Sequence, residues 1–370
     1  MGIIDELGQL YILTTPYYIH TSRAGRSQLR HSGSPRASSK KKKDSLFSLK
    51  LQPQRKMTST VLVTGASGFL GRAVFNTFQH SGVLVVGQGF SRTAPPTILK
   101  ADLEKEEDIR MLFDEVKPQI VIHCAANKSP DLCEKNPDQA RKVNVDATRT
   151  LARECHSRGA FLVYISTDYV FPGTEGEAPY ETDSKTNPPN LYGQLKRDGE
   201  LAVLEETSGS GMGVVLRVPV LYGNAKENSE SAINTLVDAV KKATDENAGV
   251  KMDDWAMRYP TNTEDVARVC RDIVIKYLRE KEKRKDFPRI LQFSSEDRMT
   301  KYQICQKLAQ VLGVAIPGMI ANKQGNDPNA GVTRPYDTHL STKALTELGI
   351  DVRTVDFIAW WRRELGAYRK

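Results

Sequence analysis

From residue 60 onward, short apolar runs rich in Val and Ile alternate with stretches whose apolar positions recur every three and four residues. The runs at 61–64, 84–87, 97–99, 120–123, 161–166 and 214–218 read as buried strands, and 72–80, 105–116, 138–158 and 192–206 as amphipathic helices. Strand-helix alternation of this kind predicts an α/β fold with a doubly wound parallel sheet and right-handed crossovers. Any ligand site then lies at the carboxyl ends of the strands. After residue 218 the pattern loosens into helices at 230–243, 263–279 and 300–312 with a strand at 289–294. This predicts a smaller substrate- or partner-facing lobe over 219–370, interleaved with the sheet domain of 57–218.

Composition removes several function classes. The net charge of +8 suggests a polyanionic partner, but of 53 basic and 45 acidic residues, 11 and 3 fall within residues 1–56, leaving 42 of each for the rest. A neutral folded part does not favour a nucleic-acid surface. The five cysteines are odd in number and lack C-x-x-C pairing, so they read as free thiols of a reducing compartment, cytoplasmic or nuclear. No run approaches the roughly 18 apolar residues of a membrane span, and His and Cys never cluster at metal-ligand spacing. The Ser/Arg/Lys-rich stretch 21–43 has too little apolar surface to order itself. Asp5 and Glu6 at its front argue against an organelle presequence, and Met57 suggests that residues 1–56 are an alternative-start extension.

The first strand runs into Val61-Leu-Val-Thr-Gly65-Ala-Ser-Gly68-Phe-Leu-Gly71. Gly65 lets the chain turn as the strand ends, Gly68 lets backbone approach a pyrophosphate, and Gly71 lets the next helix lie tight on the strand. That helix offers free N–H groups and a positive dipole end to the anion. The loop, with Ser67, Phe69 and Leu70 between its glycines, is thus a candidate cofactor cradle of the Rossmann kind. Its G-x-x-G-x-x-G spacing is one residue longer than the common dinucleotide fingerprint, and three glycines before a helix can also be mere punctuation. The second strand leads into Phe90-Ser91-Arg92 with no acid to bind a ribose 2′-hydroxyl. A hydroxyl and a fixed cation there suit a 2′-phosphate, which predicts NADP(H) over NAD(H).

Tyr192-Gly-Gln-Leu-Lys196 places a phenol and an ammonium on one helix face. A carbonyl reductase needs such a pair: Lys196 holds the nicotinamide ribose and lowers the tyrosine pKa, and Tyr192 donates a proton as hydride arrives. Such pairs are also frequent on solvated helices. Upstream, the run 161–165 ends in Ser166-Thr167-Asp168 at the expected site edge. Thr167 can hydrogen-bond a substrate oxygen, Ser166 competes for that role, and Asp168 either assists proton transfer or forms a turn.

Glycine loop, Ser-Thr-Asp strand end and Tyr-x-x-x-Lys, in that order, resemble the extended short-chain dehydrogenase/reductases. The resemblance implies that Asn144, within Val143-Asn-Val145, kinks the central helix and supports the lysine through water. It implies that His123-Cys124-Ala125-Ala126 passes beneath the adenosine side of the cofactor, and that Asp102, before Leu103, contacts the adenine. A satisfied buried histidine and a helix cap are the plain alternatives for His123 and Asp102. Over residues 60–353 the likeness tightens to the branch holding the dTDP-4-dehydrorhamnose reductases and the regulatory beta subunits of methionine adenosyltransferase. Ile165-Ser-Thr-Asp-Tyr-Val-Phe171 is similar to both. Val86-Gly-Gln-Gly-Phe90, Asn190-Leu-Tyr-Gly193, Met252-Asp-Asp-Trp255, Arg258-Tyr-Pro-Thr261 and Met299-Thr-Lys-Tyr302 are more similar to the latter.

That branch implies an NADP(H)-binding regulatory subunit that associates with a methionine adenosyltransferase catalytic chain and modulates S-adenosylmethionine synthesis. The alternative it implies is an NADPH-dependent reductase of a nucleotide-linked 4-keto-6-deoxy sugar. The segment from Trp360 to Lys370 departs from the branch, whose regulatory subunits carry a longer docking tail. Trp360, Trp361 and Tyr368 are either partner anchors or the packing of a terminal helix.

Overall fold

The computed structural model describes residues 2–4, 10–12, 59–326 and 331–367. Its main sheet holds seven parallel strands: β1 Thr60–Thr64, β2 Leu84–Gly89, β3 Ile98–Lys100, β4 Ile120–His123, β5 Phe161–Thr167, β6 Gly213–Val218 and β7 Ile290–Gln292. They lie in the order β7-β6-β5-β4-β1-β2-β3. The order reverses between β1 and β4, and this is the crevice in which doubly wound sheets bind ligands.

The helices used below are α1 Phe69–His80, α2 Glu106–Val116, α3 Ala147–Arg158, α4 Leu191–Glu206, α5 Thr235–Lys242, α6 Thr263–Arg279, α7 Lys301–Leu312 and α8 Phe357–Glu364. Alternation along β1 divides its side chains between two cores. Val61 and Val63 pack with Val74 and Phe78 of α1 and Val266 and Ile273 of α6. Leu62 faces Ile109 and Phe113 of α2, Leu151 of α3 and Val203 of α4. Burial on both faces explains why these strands read as continuous apolar runs.

The structure departs from the sequence pattern in three places. The helix expected over 138–158 is interrupted by a π turn at Lys142–Asp146, whose centre is the buried Asn144. The helix expected over 230–243 begins only at Thr235, because the Ser231 hydroxyl accepts the N–H groups of Ile233 and Asn234 and Glu230 lies in a separate 3-10 turn. The strand expected in the smaller lobe is the seventh strand of the main sheet, with Ile290 opposite Val215.

A separate core gathers Tyr222, Leu236 and Val237, Ile304 and Leu308, and Phe357, Trp360 and Trp361. Trp360 and Trp361 are buried there, the first edge-on to Tyr222 and the second stacked on it, so they are terminal-helix packing rather than exposed anchors. Tyr368 lies outside the described residues, as does the stretch 21–43. Gly2–Ile4 and Leu10–Ile12 pair antiparallel. No helix among the described residues is long and apolar enough to cross a membrane.

Candidate functional site

The glycine loop leaves β1 at the reversal of strand order. Gly65 has φ +63°, and a Cβ on it would meet the Ala125 backbone at 2.9 Å. A Cβ on Gly71 would stand 2.1 Å from the Gly65 carbonyl oxygen, so α1 lies against the loop at a distance only glycine allows. Gly68 is the N-cap of α1 and no side chain caps that turn, which leaves first-turn N–H groups for an anion. Gln88 holds the loop from below: its Oε1 accepts the Gly65 N–H at 3.0 Å and its Nε2 donates to the Ala101 carbonyl at 2.7 Å. A lone amide within a buried strand was the available signal for Gln88, and the pattern reading passed over it.

The remaining cofactor candidates divide. Ser67 and Phe69 stay partly open, as do Cys124, Ala125 and Ala126 beyond β4, while Leu70 packs on the core. Phe90, Ser91 and Arg92 are exposed beyond β2. Leu103 is buried beneath α2. The Asp102 carboxylate accepts the Glu104 N–H at 3.1 Å, forming the turn that leads into α2. His123 is a satisfied buried histidine, its Nδ1 2.7 Å from Thr64 Oγ1 and its Nε2 3.0 Å from Thr148 Oγ1. Burial, then the nearby Lys196 charge, pull its pKa down to about 3, so it stays neutral.

Two guanidinium groups gather on a carboxylate that no local pattern revealed, and a lysine binds the same residue's backbone carbonyl. Arg72 Nη1 donates to Glu230 Oε1 at 2.9 Å and its Nη2 to Oε2, Arg92 Nη1 reaches Oε1 at 3.0 Å, and Lys128 Nζ donates to the Glu230 carbonyl. Arg72 also donates to the Ser67 carbonyl in the glycine loop at 3.1 Å.

At the end of β5 the strand alternation separates two neighbours that the sequence left in competition. Ser166 Oγ donates to Glu200 Oε1 at 2.5 Å, inside a buried pair in which Arg217 donates Nε and Nη2 to the two Glu200 oxygens at 2.9 and 2.7 Å. Thr167 is on the Tyr192 side, accepting the Tyr169 N–H at 3.2 Å and donating to Asp168 Oδ1 at 3.0 Å. Asp168 also accepts the Thr338 hydroxyl at 2.6 Å. Burial raises the Asp168 pKa against the opposing pull of Thr338. Its carboxyl is therefore engaged in holding a turn to the segment that carries Thr338.

Asn190 accepts the Gly193 N–H at 3.0 Å and so starts α4, whose first turns carry Tyr192 and Lys196. Lys196 Nζ donates to the Ile165 carbonyl at 2.7 Å and lies 4.0 Å from the centre of the Tyr164 ring. Burial brings its pKa down to about 7, with Glu200 pulling the other way. The expected lowering of Tyr192 by Lys196 is corrected. Burial raises the phenol above its ordinary value, Thr167 opposes this, and Asp168 adds to it. Asn144 bonds neither: Oδ1 accepts the Asn127 N–H at 2.8 Å and Nδ2 donates to the Asn127 carbonyl at 3.0 Å, which pins the loop after β4.

A 13C NMR titration of the lysine ε-carbons is expected to show Lys196 with a midpoint near pH 7, and a midpoint in the ordinary lysine range would contradict its burial. Between those pH values the unfolded chain holds a proton that the folded chain has released. Lys196 therefore makes folding more favourable as pH rises through that window.

Residues 59–367 match the family model described as the RmlD substrate binding domain. Methionine adenosyltransferase 2 subunit beta of Rattus norvegicus is 40% identical over 294 residues, covering 80% of this chain and 84% of the rat protein. A dTDP-4-dehydrorhamnose reductase of Streptomyces griseus is 35% identical over 206 residues, 56% of this chain and 62% of that one. Among solved structures, a dTDP-4-dehydrorhamnose reductase of Clostridium acetobutylicum superposes with a TM-score of 0.68 at 25% identity, covering 83% of this chain and 98% of that chain.

Proposed function

The chain belongs to the RmlD substrate binding domain family, and from that premise we propose that it is an NADP(H)-binding regulatory subunit of methionine adenosyltransferase that tunes S-adenosylmethionine synthesis in the cytoplasm or nucleus. The observation that carries this reading is the 40% identity to methionine adenosyltransferase 2 subunit beta across four-fifths of the chain. The site geometry supports binding and leaves turnover to experiment: Tyr192 stays protonated, as a proton donor must be, and Lys196 spends one of its donors on the Ile165 carbonyl.

The residues present fit a dinucleotide. The uncapped turn of α1 and the loop at Gly65, Gly68 and Gly71 would receive the pyrophosphate, and Ser91 and Arg92 the 2′-phosphate. Cys124, Ala125 and Ala126 would lie beside the adenosine half, and Lys196 would meet the nicotinamide ribose. A bound nicotinamide supplies or accepts a hydride. Thr167 and Tyr192 offer hydroxyls to a carbonyl oxygen, and this retained set supports the second reading, a reductase of a nucleotide-linked 4-keto-6-deoxy sugar.

In size-exclusion chromatography with NADP+ present, the chain is expected to elute with a methionine adenosyltransferase catalytic subunit and to alter that subunit's kcat/KM. Separate elution would sink the regulatory reading. With NADPH and a 4-keto-6-deoxy sugar nucleotide, no oxidation above background is expected. Turnover that falls at least about 100-fold in Tyr192→Phe would install the reductase reading instead.

A further inference from the structure

We propose that Glu230 is a built-in competitor for the cofactor's 2′-phosphate: a carboxylate from the smaller lobe that occupies the cations of the glycine loop and must yield them when NADP(H) binds. The inference rests on the cofactor reading above and concerns how that site is guarded.

Arg92 stands just beyond the end of β2, where a Rossmann site reads the adenosine ribose. Its carbonyl and the Ser67 hydroxyl lie 2.5 and 3.2 Å from where a Cβ on Gly89 would stand, so this segment and the glycine loop both flank Gly89. Arg72 is tied to the same loop through the Ser67 carbonyl, and Lys128 lies 5.9 Å from the ring centre of Phe69, the first residue of α1. Arg72 and Arg92 come from separate elements of the sheet domain and share the Glu230 carboxylate, while Lys128, from a third, binds the Glu230 backbone carbonyl.

Glu230 is well shielded, with 13% of its side chain exposed, and Lys226 N–H adds a bond to Oε2 at 3.0 Å. The Arg72 hydrogen bonds are the first cause holding its carboxyl down to about 2. Glu230 is thus an anion throughout the physiological range, placed where a phosphate dianion would seek the same donors. Arg92 gives Glu230 only its Nη1 and its side chain is 54% exposed, so a phosphate that takes the guanidinium fork bidentately through Nη1 does so by displacing the Oε1 contact. Because Glu230 sits in the connection between Tyr222 and α5, that displacement moves a segment of the smaller lobe. Cofactor occupancy and the position of residues 226–231 are then coupled.

The test is a fluorescence titration of wild type and Glu230→Gln with NADP+ and with NAD+, beside amide hydrogen exchange on the wild type. Removing the competing charge is expected to tighten NADP+ by about tenfold while NAD+ changes less than twofold. In the wild type, NADP+ is expected to speed amide exchange over residues 226–231. If the variant binds NADP+ no tighter than wild type, Glu230 is only an interlobe ion pair and the inference falls alone. Should the variant fail to fold, the wild-type exchange decides: unchanged or slower exchange with NADP+ overturns the inference. A wild type that binds neither dinucleotide overturns the cofactor reading, and this inference with it.

Discussion

Arg217→Met is expected to cost the fold roughly 3–5 kcal/mol, because it strands Glu200 as an uncompensated charge in the interior. The two side chains are each 3% exposed and joined by two hydrogen bonds. Arg217 also donates to Gln292 Oε1 at 3.2 Å and to the Thr182 carbonyl at 3.3 Å, and its guanidinium lies 5.0 Å from the Phe171 ring centre. Removing it therefore unties the side chains that join α4 to β6 and β7 near the end of the sheet that presents Thr167. Urea denaturation measures the loss. The double variant Arg217→Met, Glu200→Leu should recover most of it, since an apolar pair of similar volume has no charge to strand. A single-variant loss below about 1 kcal/mol would mean that water reaches Glu200 and that the pair is not the interior tie described here.

The second large effect is on binding. Gly71→Val is expected to weaken NADP+ by at least about 100-fold, the loss of a phosphate's charge-assisted hydrogen bonds, while circular dichroism stays near that of wild type. A Cβ at this position falls within 2.1 Å of the Gly65 oxygen, so α1 must retreat from the loop and carry its first-turn N–H groups with it. The donor here is backbone, which side-chain rearrangement cannot restore. Unchanged affinity in this variant would show that the loop relaxes freely and that the glycines are turn punctuation after all.

The sheet was legible because strands buried on both faces leave unbroken apolar runs, and β1 is buried along its whole length. Tyr192 and Lys196 were legible as a pair because helical periodicity is local. That Ser166 is engaged by Glu200 of α4 while Thr167 lies on the Tyr192 side is a long-range fact, which no single stretch of sequence carries. Glu230 was beyond reach for the same reason: it is 158 positions from Arg72. The raised Tyr192 pKa is not legible locally, because the sequence puts Lys196 one turn away but does not carry the burial that outweighs its charge. The role of Ile290–Gln292 in the main sheet depended on a long-range pairing with β6 that a three-residue strand does not announce.

That last pairing bears on how the protein is made. Synthesis from the N-terminus delivers the strand at Thr60 early, but β6 waits for Ile290–Gln292, and α6, at 263–279, is needed to roof the core over β1. Until then a growing chain exposes an unpaired strand edge and an uncovered apolar face, the kind of surface that aggregates and that chaperones shield. The candidate cofactor cradle at residues 65–71 is therefore among the later features to gain support, and a nascent chain is not expected to retain dinucleotide until residues near 292 have left the ribosome.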